Sequence, residues 1–189
     1  MNCIRLLAAP LLALLLCMTG LPVQADETSE VMKLVQAGQA TEAMVKLDQF
    51  LALKPKDPQL RFLKGVMLSD AKRSSEAIAV FTLLNEDYPE LPEPYNNLAV
   101  LYAAQGQYDK ARAALEAAVR GNPGYATAYE NLGDIYARLA AQAYARALTL
   151  DATSASLPSK VAQLRPLVGS KPSETKSAAP ARTGKPTPP

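Results

Sequence analysis

Prolines 55, 89 and 123 stand 34 residues apart, and the chain between them repeats its chemistry at the same interval. Ala43, Ala77 and Ala111 share one register position; Leu47, Phe81 and Leu115 share another. Leu34, Leu68, Tyr102 and Tyr136 form a third row, and Val31, Gly65, Ala99 and Gly133 a fourth. Prolines are sparse, 15 of 189 residues, so their return at this spacing together with the alanine and aromatic rows marks an array. A unit this short cannot cover its own apolar face, and stacking against copies of itself is how such arrays build a core.

The clearest unit is residues 93–123, EPYNNLAVLYAAQGQYDKARAALEAAVRGNP. Tyr95, Leu98, Ala99 and Tyr102 recur at the spacing that lines one face of a helix, and Ala111, Leu115 and Ala118 do so again further on. Gln105-Gly106-Gln107 lies between, where glycine supplies the dihedrals of a tight turn. Arg120-Gly121-Asn122-Pro123 then ends the second helix. The spacing predicts two antiparallel helices.

Tyr95, Leu98-Ala99, Tyr102, Ala111, Leu115 and Pro123, repeated in part as Tyr129, Leu132-Gly133 and Tyr136, resemble the tetratricopeptide repeat pattern. The resemblance runs from about residue 24 to residue 152. It implies an all-α, right-handed solenoid of stacked helix pairs without a sheet, with a concave groove lined by the first helix of each pair. Units are expected at about 24–57, 58–91 and 92–125. Gly65, Ala99 and Gly133 are expected to let the paired helices approach, and Phe81, Leu115, Tyr102 and Tyr136 to fill the space between neighbouring pairs.

Two departures bear on the fold. The second unit has Ala71-Lys72-Arg73-Ser74 in place of the hinge glycine, which predicts a looser turn. The fourth unit, 126–152, fits the register only if five residues are missing where its turn belongs. One long or kinked helix from about Ala126 to Leu150 is therefore expected, followed by a short helix at 157–165 opened by Ser156 and Pro158. That helix either solvates the end of the array or leaves the fourth unit open to a second copy, giving a homodimer.

The two ends differ from the middle. Arg5, the apolar run from Leu6 to Leu16, and Val23-Gln24-Ala25 have the form of a cleaved signal peptide spanning 1–25, which implies export to the periplasm or beyond. The apolar run is too short to favour an uncleaved anchor, although that and lipidation at Cys17 remain alternatives. Cleavage after Ala25 removes both cysteines and leaves no membrane span. Residues 169–189 hold five prolines and almost no large apolar group, a composition that predicts a disordered tail.

Charge and composition narrow the function. Residues 26–168 carry 15 basic against 17 acidic groups and no concentrated basic face, which argues against nucleic acid. The chain has no histidine, no glycine-rich phosphate loop and no nucleophile elbow, so neither catalysis nor a bound cofactor or metal is expected. Carried over position by position, the resemblance assigns Phe62 and Val66, then Asn96, Asn97 and Val100, then Glu130, Asn131 and Asp134 to the concave groove. The carboxylate clamp of chaperone-binding relatives is missing, since Phe62, Val66, Thr127 and Asn131 stand at its places. The groove suits an extended or helical peptide with an apolar anchor, and the expected function is a non-enzymatic adaptor or scaffold of the cell envelope. The alternative is a self-associating structural module that uses the open fourth unit as its interface.

Overall fold

The computed structural model describes residues 27–168, so the expected signal peptide and tail lie outside the described residues. Among the described residues there are eight α-helices and no strand: α1 Glu27–Gln36, α2 Ala40–Leu53, α3 Pro58–Asp70, α4 Ser74–Asp87, α5 Pro92–Ala104, α6 Tyr108–Gly121, α7 Ala126–Leu150 and α8 Leu157–Val168. The first six form three hairpins in the register that the prolines predict.

Each hairpin turns by the same device. Gly38, Lys72 and Gly106 all have positive φ, at 76°, 61° and 72°. In every case the next residue's amide donates five residues back, from Gln39 to Leu34, Arg73 to Leu68 and Gln107 to Tyr102. The residue with positive φ itself donates to a carbonyl three residues back. This double bond satisfies the last carbonyls of the first helix and fixes the exit direction of the chain. The looser second turn expected from the missing glycine is thus not found. Lys72 takes the left-handed conformation that glycine would have taken, and Arg73 pairs with Glu76 at 2.6 Å beside it.

The prolines start and stop the helices. Pro55, Pro89 and Pro123 follow the C-caps Lys54, Tyr88 and Asn122, where a helix cannot continue. Pro58 opens α3, and the Asp57 carboxylate accepts from the amides of Gln59 and Leu60 at 2.9 and 3.0 Å. One period beyond Gly106 the chain has Ala140, with no residue suited to a left-handed turn. The helix accordingly runs through to Leu150 as one 25-residue element.

Three apolar clusters form a row. The first joins Val31, Ala43 and Leu47 to Leu60, Leu63 and Met67. The second joins Phe62, Leu68, Ala77, Phe81 and Leu84 to Leu98 and Leu101 of α5. The third joins Ala99, Ala111, Leu115 and Ala118 to Ala128, Leu132 and Ile135 of α7. Each hairpin therefore closes its core on the first helix of the next, the nearest-neighbour arrangement of a repeat array. At Gly65 the fit is so close that a Cβ would lie 2.5 Å from Cε1 of Phe81.

Beyond the third hairpin the pattern changes. Among the described residues, α8 packs against α7 alone, running back along its C-terminal half. Arg138 donates to the Val168 carbonyl at 3.4 Å and lies 5.9 Å from the Tyr108 ring, tying the end of α8 to the start of α6. Lys160 lies over the Tyr144 ring. No helix among the described residues is long and apolar enough to cross a membrane.

Candidate partner-binding groove

The first helices touch one another along the row, α1 with α3, α3 with α5 and α5 with α7. The second helices α2, α4 and α6 make no such contacts among themselves. The stack is therefore drawn together on the first-helix side, and that side is the concave one.

The residues expected to line it divide by what lies above them. Phe62, Asn96 and Glu130 occupy one repeat position, yet Phe62 is 5% exposed, Asn96 is 1% exposed and Glu130 is open to solvent. Phe62 packs its ring against Phe81, centroids 5.7 Å apart, within the cluster that includes Leu98 and Leu101. Asn96 accepts a 2.7 Å hydrogen bond from Nδ2 of Asn131 on the next first helix. Both side chains are inter-repeat packing, so their assignment to the groove surface is corrected. Glu130 is exposed because, among the described residues, no further first helix stacks on α7.

Val66, Val100 and Asp134 share the next position along the helix. The two valines are half-buried and Asp134 is exposed. Asn97 and Asn131 are half-buried, and both side-chain donors are engaged: Asn97 Nδ2 with the Glu93 carbonyl of its own helix at 2.8 Å, Asn131 Nδ2 with Asn96. The groove that remains is Val66 and Val100, the edges of the two asparagine amides, and the carboxylates of Glu130 and Asp134. It can take an apolar anchor and a cation.

At the rim, Tyr125 opens α7 with its hydroxyl buried and without a hydrogen-bond partner among the described residues. Burial, and after it the nearby Glu93 carboxylate, pushes the phenol up to about 12. Tyr125 is therefore neutral across the physiological range.

Sequence reasoning missed one surface. Tyr136 was expected in the core and Gly133 at a close helix contact, but Tyr136 is 49% exposed and a Cβ on Gly133 would meet nothing within 4 Å. Tyr129 beside them is 50% exposed. The five missing residues were the signal: with the turn gone, no second helix returns to cover this part of α7.

The comparisons with known proteins agree with this geometry. A tetratricopeptide repeat description matches residues 30–92, another 80–113, and a TPR repeat description 101–139. A chloroplastic tetratricopeptide repeat domain-containing protein of Arabidopsis thaliana, PYG7, is 40% identical over 70 residues, which are 34% of this chain and 23% of that protein. The chain thus spans about a quarter of the length of that curated relative. Among solved structures, YrrB, described as a TPR protein with an unusual peptide-binding site, aligns at 25% identity and a TM-score of 0.51 over 55% of this chain and 54% of its own. MamA from Desulfovibrio magneticus RS-1 aligns at 21% identity and a TM-score of 0.55 over 74% of this chain and 81% of its own. Repeats of this kind generally serve as non-catalytic scaffolds for protein–protein interaction. With the three-hairpin stack and the matches that together run from residue 30 to residue 139, the chain belongs to the tetratricopeptide repeat proteins.

Proposed function

We propose that the protein is a non-enzymatic adaptor of the bacterial cell envelope that holds a segment of a partner protein along the concave face of α3, α5 and α7. The observation that carries this reading is the closing up of the first helices while the second helices stay apart, which leaves a continuous inner face. That face offers Val66 and Val100 as an apolar seat and ends at Glu130 and Asp134, so the bound segment carries an apolar side chain followed by a cation. The likeness to YrrB supports a peptide as the ligand class. Export rests on the signal-peptide form of residues 1–25.

The test has two arms. Crosslinking of the full chain in envelope extracts should capture a partner that Val100→Lys and Val66→Lys lose while their helical circular dichroism is unchanged; capture retained by both variants removes the groove. N-terminal sequencing of the protein recovered from the periplasmic fraction should begin at Asp26.

Self-association through the fourth unit is the weaker reading. Two copies of α7 packed antiparallel by a two-fold axis would set the Glu130 and Asp134 flank against itself. Light scattering is expected to give the monomer mass.

A further inference from the structure

Among the described residues, the N-terminal half of α7 lacks the cover that every earlier first helix receives from its own hairpin partner. In the second hairpin the Phe81 ring fills the notch over Gly65; in the third, Leu115 shares a fully buried cluster with Ala99. Gly133 is the same notch in the fourth unit, and nothing among the described residues comes within 4 Å of its Cβ position.

α8 occupies only the far part of this face. Ala137, Ala140, Ala141, Tyr144 and Leu148 are half-buried along the stripe where α8 lies, and α8 ends with Val168 level with Arg138. The same stripe continues toward the helix start through Gly133 and Ala126, which are exposed. The uncovered length, residues 126–136, is about three turns or ~16 Å. Tyr129 and Tyr136 flank it on one side. Glu130 and Asp134 flank it on the other, and neither has an ion-pair partner among the described residues.

We propose that this open face is a second binding site, one that receives an amphipathic helix from a partner protein in the place of the missing fourth-unit helix. The chain's own α4 and α6 define the ligand. Each presents an alanine and, four residues on, a bulky apolar side chain, Ala77 with Phe81 and Ala111 with Leu115, and it is the bulky member that enters the notch. The guest helix is about three turns long, bears Phe or Leu at that position, and carries Lys or Arg on the edge that meets Glu130 and Asp134. Two other occupants fit less well. A second copy of α7 brings no bulky side chain to Gly133 and repeats the acidic flank. Residues 169–189 are basic, but their five prolines leave no more than seven consecutive residues free of proline, fewer than the three turns of the guest helix. The site shares the Glu130 and Asp134 edge with the end of the concave groove but not the groove's apolar seat at Val66 and Val100, because Gly133 lies on the side of α7 away from Asn131.

A fluorescently labelled peptide with the sequence of α4, Ser74–Asp87, in which Glu76, Glu86 and Asp87 are each replaced by Lys, tests this on the full chain by anisotropy. Saturable one-to-one binding is expected. Gly133→Leu, which fills the notch, should weaken it at least tenfold with helicity retained. Removing the knob by Phe81→Ala in the peptide should do the same, and the Glu130→Lys, Asp134→Lys double variant should weaken binding and flatten its salt dependence. Val66→Lys and Val100→Lys should leave this affinity unchanged, which separates the site from the groove. Absence of saturable binding overturns the proposal, as does equal affinity for Gly133→Leu. So does a dimer that only Gly133→Leu dissociates, because the face then belongs to a second copy. Binding seen only when the chain is ended at residue 168 likewise assigns the face to the tail.

Discussion

Gly65 and Gly133 hold the same repeat position and make opposite demands. A Cβ at Gly65 would strike the Phe81 ring, so Gly65→Ala is expected to cost about 1–3 kcal/mol as overpacking, set against a helix-propensity gain of about 0.5–1 kcal/mol. At Gly133 only the gain remains, and Gly133→Ala is expected to stabilise by about 0.5–1 kcal/mol. Urea unfolding of the two variants should show shifts of opposite sign. Tyr125 is a second residue whose effect is set by its surroundings. Its phenol pKa is raised by burial, so the fold keeps its full stability below the unfolded value near 10 and loses part of it as pH climbs toward 12. Tyr125→Phe should remove this part of the alkaline unfolding limb. Because the buried hydroxyl has no partner among the described residues, the substitution should be neutral or slightly stabilising at pH 7.

Among the elements, the turns and α7 show what could be read from the sequence. The prolines at 55, 89 and 123 and the alanine row placed the three hairpins because each residue type does one job there, stopping a helix or admitting a close neighbour. The missing turn residues foretold the unbroken α7 for the same reason. The second hinge was misjudged, since three good hydrogen bonds at its closure outweigh the strain of Lys72 at positive φ. That strain is about 1–2 kcal/mol, partly offset by the extra freedom that glycine has in the unfolded chain, so Lys72→Gly should stabilise by up to about 1 kcal/mol in thermal melts. The groove was only half legible. Repeat position says which residues belong to a first helix, but whether such a residue faces a ligand depends on what stacks above it. Phe62 and Asn96 are covered by α5 and α7, whereas Glu130 has nothing above it among the described residues.

Across the whole molecule, cohesion passes from each hairpin to the next and no further. Leu115→Ala should therefore cost about 2–5 kcal/mol in the third cluster while leaving the first, from Val31 to Met67, intact. Amide hydrogen exchange should quicken in α5, α6 and the start of α7 and stay slow in α2 and α3, whereas a single cooperative core would quicken everywhere. The same locality makes the array's length a matter of where a unit is added. The contact of α6 with α7 is of the same kind as that of α4 with α5, so a copy of residues 92–125 inserted before Ala126 would find a matching surface on both sides. A copy appended after Leu150 would find Glu130 where Phe62 and Asn96 receive the next unit in the interior. The solenoid can lengthen from within, but its α7 end is closed to growth.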